Sequence, residues 1–435
     1  MKHCAKILAR QTLARLPTPR SRLSGGLAIH GGAPVRDLRW HPWRSARRGS
    51  LRAWWTAAGP ELRRVFLSGV EGLPQPLAKK FARSWAEYCG CRYGLLLPHG
   101  TDALRIGLAA AFDHDGLDYG GEVIVPNLSF IASATSALDR RFGVALVDVD
   151  PATLLIDPKR AEEAIVLGRT RAIMAVHQFG HPADMTALQA IAAKHGLKII
   201  EDAAQAHGAA WETGPVGALG DAAGFSFQSA KTLACGEGGI LTTNDADLFA
   251  RASSIANVGR ASDGGGRWEH PHLGWNCRPT EYQAALLLYR FELFEEQQRV
   301  RARNFARLRE LLPGESAFRP LALDPRVRRH GMYMFVLRYE PEACGGWTLD
   351  EALRAVRAEG APINRLYAAT ISQQPGIRGV AERRPDYVQV HPTPVADEAV
   401  GAIAYIPHDV FLGTELDMVD IAAAINKVGL HGRRI

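Results

Sequence analysis

The sequence predicts an α/β protein: a large domain with a mostly parallel, seven-stranded sheet between helices, then a smaller C-terminal α+β domain. Three observations carry this. Between about residues 76 and 260, short apolar runs alternate with helical stretches, the pattern of a sheet covered on both faces. From about 281 the alternation gives way to a long charged amphipathic stretch and a mixed region. And 435 residues exceed what one core usually holds. We place a basic leader at 1–25, the N-terminal segment and large domain at 26–284, and the small domain at 285–435.

Seven runs read as buried strands: "RYGLLLP" (92–98), "EVIVP" (122–126), "GVALVDVD" (143–150), "AIMAVHQFG" (172–180), "LKIIEDAA" (197–204), "AAGFSFQ" (222–228) and "GGILTTN" (238–244). Each is short, β-branched or Leu-rich, and bounded by Gly, Pro or polar turn residues. "GTDALRIGLAAAF" opens on a small polar turn and carries apolar residues at helical spacing. "DMTALQAIAAKHG" has Asp184 as its N-cap and Gly196 as its stop. "TEYQAALLLYRFELFEEQQRVRARNFARLRELL" reads as one long helix, followed by the strand "MYMFVLRYE" and the helix "LDEALRAVRAEG".

Composition narrows the function. Apolar residues are 47% and charged residues 22%, ordinary for a globular chain. No apolar run reaches the length of a membrane-spanning helix. The formal charge of +7 is unevenly placed: residues 1–64 hold 14 Lys and Arg against Asp37 and Glu61 alone. The remaining chain is mildly acidic, and the basic segment lacks the basic–aromatic interleaving of a nucleic-acid module. The acid-free first residues read as an extension, with a targeting role the weaker reading. Six scattered cysteines, with one C-x-C pair, match no common zinc spacing and suit a reducing cytoplasm. We expect no metal, no nucleic acid and no membrane partner.

Ligands of parallel sheets bind beyond the carboxyl ends of the strands. Four features lie there. In "HGTDAL" (99–104), Gly100 and Thr101 open a helix whose free N–H groups suit a phosphate, although such a turn also caps ordinary helices. In "NLSFIASA" (127–134), Phe130 is either core or a ring face for a flat cofactor. In "IIEDAAQAHGA" (199–209), Asp202 is either a helix cap or the partner of a protonated heterocyclic nitrogen, with Gln205 and His207 close behind. In "FSFQSAKTLACGEGG" (225–239), Ser226 ends a strand and Lys231 follows before close-packing glycines. A lysine there, near a phosphate turn and an acid, is the pattern of a Schiff-base lysine.

Together "PHGTDAL", "EVIVPNLSFIASA", "VHQFGHPADM", "IIEDAAQAHGA", "VGALGDAAGFSFQSAKTLACGEGGILTTND" and "LGWNCRPTEYQAA" resemble the DegT/DnrJ/EryC/StrS aminotransferases, over roughly residues 66–435. "LAIHGGAPVR" (27–36) is similar to the lead of the branch with scyllo-inosose aminotransferases and aminohydroxybenzoate synthases. The resemblance implies a type I, aspartate aminotransferase-like fold, pyridoxal 5'-phosphate, and a homodimer with shared active sites. It implies Lys231 as the lysine linked to the cofactor and Asp202 as the acid on the pyridine nitrogen. Phe130 would stack on the ring, and Gln205 would lie by its hydroxyl. Gly100, Thr101 and Ser226 would cradle the phosphate, and Asn276 would reach the partner's phosphate. Arg260 and Arg278 lie in matching loops, and Arg278, Tyr367 and His408 are candidates for the acceptor pocket, against packing roles. The implied donor is glutamine or glutamate, and the acceptor a keto-cyclitol or keto-sugar in aminosugar or secondary-metabolite biosynthesis. One branch of the family has histidine for the lysine and dehydrates; Lys231 favours amino transfer. An aminohydroxybenzoate synthase-like enzyme and a non-catalytic regulator are the alternatives. His99 departs from the usual small or amide residue.

Overall fold

A computed structural model describes residues 26–36, 51–261, 268–312, 314 and 316–432. The expected leader at 1–25 lies outside the described residues. All seven expected strands form: β1 (Tyr93–Leu97), β2 (Glu122–Pro126), β3 (Gly143–Val147), β4 (Thr170–Val176), β5 (Lys198–Asp202), β6 (Ala222–Ser226) and β7 (Gly239–Thr243). The small domain contributes β8 (Phe318–Pro320), β9 (Met334–Tyr339), β10 (Asn364–Arg365), β11 (Val388–Val390) and β12 (Ile403–Pro407).

The large sheet runs β1-β7-β6-β5-β4-β2-β3-β11. β7 is antiparallel to both its neighbours, and the other strand pairs are parallel. The sheet thus has eight strands where seven were expected. The extra edge strand, β11, arrives from residue 388 onward and pairs with β3 through Val388, Gln389 and Val390. β8, β9, β12 and β10 form a separate antiparallel sheet in that order.

Helices cover both faces. Among those used below are α1 (Leu51–Ser68), α2 (Pro76–Tyr88), α3 (Gly100–Phe112), α4 (Ala132–Asp139), α5 (Met185–His195) and α6 (Glu281–Leu311). α5 begins and ends as its sequence predicts: the Asp184 carboxylate accepts from the Ala187 N–H, and Gly196 turns at φ 67°. α6 opens with a reciprocal capping box between Thr280 and Gln283. One core packs α3 on the sheet through Leu104, Leu108, Val123, Val125 and Leu241. On the other face Phe81 and Trp85 of α2 meet Phe225, Phe227 and Phe294. Trp85 stands edge-on to Phe225 at 5.3 Å and to Phe227 at 5.5 Å. Among the described residues no helix is long and apolar enough to cross a membrane.

Residues 26–36 join the small domain, where Leu27 enters the core built on α7 (Leu349–Ala358) and α8 (Glu415–Gly432). Glu359 is fully buried and holds this segment. It accepts from the Ala28 N–H at 2.7 Å, the Val35 N–H at 3.1 Å and the Lys427 ammonium at 2.9 Å. Lys427 also donates to the Ala33 carbonyl. A buried ion pair tied in by two further backbone donors tolerates poorly the loss of one member. Lys427→Met should therefore lower unfolding free energy by about 3–5 kcal/mol. Adding Glu359→Gln should recover part of that, since it removes the stranded charge but keeps an acceptor. Chemical denaturation of the two variants checks this.

Candidate active site

β5 ends in two carboxylates that point to opposite faces of the sheet, as strand geometry requires of neighbours. Glu201 is fully buried and structural. It accepts from the backbone N–H groups of Gly217, Leu219 and Gly220 and from His177 Nε2 at 3.0 Å. Asp202 faces the site. Its Oδ2 accepts from the Ser133 hydroxyl at 2.6 Å, and its Oδ1 from the Ala204 N–H at 3.2 Å. Ser129 lies 2.9 Å from Ser133, so the two hydroxyls form a short relay onto the carboxylate. Ser133 sits in the first turn of α4, and sequence reasoning missed it. Its only signal is a hydroxyl within "NLSFIASA", the loop that follows a strand end.

Lys231 follows β6 on a turn in which its N–H donates to the Gln228 carbonyl. Burial, opposed by attraction to Asp202, brings its amine from the ordinary 10.5 down to about 8. At pH 7 about one amine in ten is then the free base, a few hundred times more than for a lysine at 10.5. The amine stands 4.8 Å from the centroid of the Tyr333 ring. His207 lies beneath, fully buried. Burial and repulsion by Lys231 bring it to about 3, so it is neutral and donates its Nε2–H to the Ser226 carbonyl at 2.8 Å.

The start of α3 is pressed against β6 and β7. A Cβ on Gly100 would come within 2.7 Å of the Ser226 Cβ. A Cβ on Gly239 would lie 2.2 Å from the His99 carbonyl carbon, and backbone there cannot give way. These glycines set the N-terminus of a 13-residue helix beside Ser226, with Thr101 exposed. His99 caps no backbone group; its Nδ1 lies 3.1 Å from the Asp102 carboxylate.

Phe130 stands at the carboxyl end of β2 with 59% of its surface exposed, so it is not a core residue. Gln205 is buried; its Oε1 accepts from the Phe179 N–H at 2.8 Å and its Nε2 donates to the Tyr367 hydroxyl at 3.3 Å. Tyr367 donates in turn to Gln178. The chain thus brings Lys231, Asp202, Gln205, Tyr367, Ser226, Gly100 and Thr101 to the carboxyl ends of the sheet, where Phe130 also stands. His408 is buried, and its Nε2–H donates to the Ala230 carbonyl at 2.9 Å.

Asn276 and Arg278 stand apart. Their loop pairs with the end of the helix Ala246–Ala256, and Arg278 donates to the Asn257 side chain at 2.9 Å. Among the described residues no hydrogen bond links either to Lys231, Asp202, Gln205 or Ser226, and Asn276 is exposed.

This set fits a flat, phosphate-bearing pyridine. A helix N-terminus that only glycine lets approach Ser226 suits an anion, an exposed ring suits a flat face, and a fixed carboxylate suits a protonated nitrogen. The amine's titration tests the electrostatics. Asp202→Asn removes the charge that favours the ammonium, so the Lys231 midpoint should fall below about 8. The pH dependence of Lys231 acetylation, read by mass spectrometry, checks this.

The family model described as "DegT/DnrJ/EryC1/StrS aminotransferase family" matches residues 61–427. The L-glutamine:2-deoxy-scyllo-inosose aminotransferase of Streptoalloteichus tenebrarius is 35% identical over 429 residues, 93% of this chain and 98% of that protein. Among solved structures, 3-amino-5-hydroxybenzoic acid synthase superposes with a TM-score of 0.76 at 29% identity, covering 86% of this chain and 97% of that one. DesI, solved in the presence of its TDP-sugar product, gives a TM-score of 0.79 at 26% identity, covering 94% and 97%. The chain belongs to the DegT/DnrJ/EryC1/StrS aminotransferase family.

Proposed function

We propose that the chain moves the amino group of L-glutamine onto a keto-cyclitol of the scyllo-inosose type, using pyridoxal phosphate held through Lys231. The observation that carries this is the half-buried Lys231 amine, brought to about 8 within reach of the charge of the fixed Asp202 carboxylate. The donor and acceptor rest on similar proteins named L-glutamine:2-deoxy-scyllo-inosose aminotransferase. The reading extends to a cytoplasmic homodimer in which Asn276 serves the partner's phosphate site. Its exposure and its separation from Lys231 support that.

When bound, the cofactor supplies an electron sink for the carbanion left as an α-proton departs. The chain supplies the rest. Lys231, whose amine is lowered to about 8, would take that proton as a general base and hold it for return. Asp202, locked by Ser133 and Ala204, keeps the pyridine nitrogen protonated. Gly100, Thr101 and Ser226 would hold the phosphate, Phe130 would offer its face to the ring, and Gln205 would serve the ring hydroxyl. Tyr367, tied to Gln205, borders the acceptor, with Arg278 the partner's candidate contribution.

A second reading, an aromatising enzyme like 3-amino-5-hydroxybenzoic acid synthase, would draw on these same residues and is favoured by that structural likeness. Product analysis separates the two. With glutamine and scyllo-inosose-type ketones the wild-type enzyme should release an aminocyclitol and no aromatic amine. Lys231→Ala should fold normally and lose roughly 10²–10⁴-fold or more in turnover. Full turnover by that variant contradicts the reading. Gly100→Ala should weaken pyridoxal phosphate about tenfold or more through the overpacked cradle, while phosphate-free pyridoxal binds unchanged. Equilibrium titration with both compounds checks this.

A further inference from the structure

The small sheet ends directly over Lys231. In the antiparallel ladder of β9 and β12, Met334 pairs with Pro407, so the residues just beyond, Tyr333 and His408, emerge side by side. Their rings stack at 5.8 Å with 24° between planes. Both are buried, at 6% and 2% exposure. His408 reaches the other domain and donates its Nε2–H to the carbonyl of Ala230, the residue before Lys231. Tyr333 places its ring 4.8 Å from the lysine amine. The first half of the turn from Gln228 to Gly236 carries bonds within the turn, Ala230 N to the Gln228 side chain, Lys231 N to the Gln228 carbonyl and Ser229 N to the Gly236 carbonyl, while its second half is held from outside by Arg290 of α6, which donates to the Ala234 carbonyl.

We infer that Tyr333 and His408 are positioning residues for Lys231, His408 tethering its peptide and the Tyr333 ring covering its amine. This rests on the reading of Lys231 as the cofactor lysine. The two residues act differently. A donor to Ala230 fixes where the lysine side chain starts. A ring face attracts the ammonium and excludes water. The small domain therefore sets the lysine of the large domain, and the two must be docked for the amine to sit where it does. His408, a candidate for the acceptor pocket by resemblance, takes this role through its bond to Ala230.

The titratable groups around the amine are Asp202 at the end of β5, His207 on the loop after it, Tyr333 and His408 on the small sheet, and Tyr367 beside Tyr333. The test leaves Asp202, His207 and Tyr367 intact. The full-length chain, freed of cofactor, is labelled with trace acetic anhydride across pH, and the Lys231 peptide is quantified by mass spectrometry. Wild type and Tyr333→Phe should share a midpoint near 8. Tyr333→Leu, which keeps the burial but loses the ring face, should lower it by about half a pH unit or more. His408→Leu should raise it toward the ordinary 10.5, as the freed turn lets water in, and should speed amide exchange in residues 228–236 about tenfold. His408→Gln, whose amide can reach where Nε2 sits, should restore both. Leu variants with wild-type midpoints and exchange overturn the inference. Borohydride reduction of the wild-type holoenzyme separates the two layers. A cofactor adduct on another lysine overturns the Lys231 reading and this inference with it. An adduct on Lys231 with unmoved midpoints overturns the inference alone.

Discussion

The site is organised by the two carboxylates that end β5. Burying Glu201 is tolerable only because three backbone N–H groups and His177 converge on it. Those N–H groups belong to residues 217–220, the loop that feeds β6, so Glu201 fixes where β6 begins and where Ser226 ends. One residue on, the alternation of the strand turns Asp202 to the opposite face, toward Lys231. A buried anion that anchors a loop and an adjacent anion that serves chemistry are thus consequences of one strand's pleat.

The same economy of space governs the phosphate end. Close approach of α3 to β6 and β7 demands glycine at 100 and 239, where any side chain would strike Ser226 or the His99–Gly100 backbone. That approach brings a helix N-terminus, with its unpaired N–H groups and positive dipole end, next to a hydroxyl. His207, kept neutral by burial, ties the end of β6 to the loop after β5 through the Ser226 carbonyl. The cradle, the acid and the lysine are therefore parts of one hydrogen-bonded frame at the sheet's carboxyl edge. The small domain closes over it through Tyr333 and His408.

Much of this was legible in the sequence. The seven central strands are short apolar runs with sharp boundaries, and a buried parallel sheet leaves that mark. The caps at Asp184 and Gly196 were legible because their chemistry is local. β11 was not: three residues of "VQV" after the charged "AERRPDY" have no strand character until β3 offers an edge. Lys231 and Asp202 stood out because a charge beside a buried strand end needs a reason. Phe130 did not, since a buried and an exposed phenylalanine look alike in sequence; only resemblance favoured the exposed reading that the fold shows. Ser133 was hidden in a run of small residues. The pairing of Tyr333 with His408 joins residues 75 apart through a strand register that no local pattern encodes.

The central claim is that this amine-and-acid pair moves the α-amino group of glutamine to a cyclic ketone. The most direct test supplies the wild-type holoenzyme with glutamine labelled with ¹⁵N only at the α-amino position, together with scyllo-inosose-type ketones, and follows the label by mass spectrometry. The account predicts ¹⁵N in the aminocyclitol and one equivalent of the 2-oxo acid for each amine formed. An unlabelled amine, or ¹⁵N retained in the amino acid while the ketone is consumed, would contradict it.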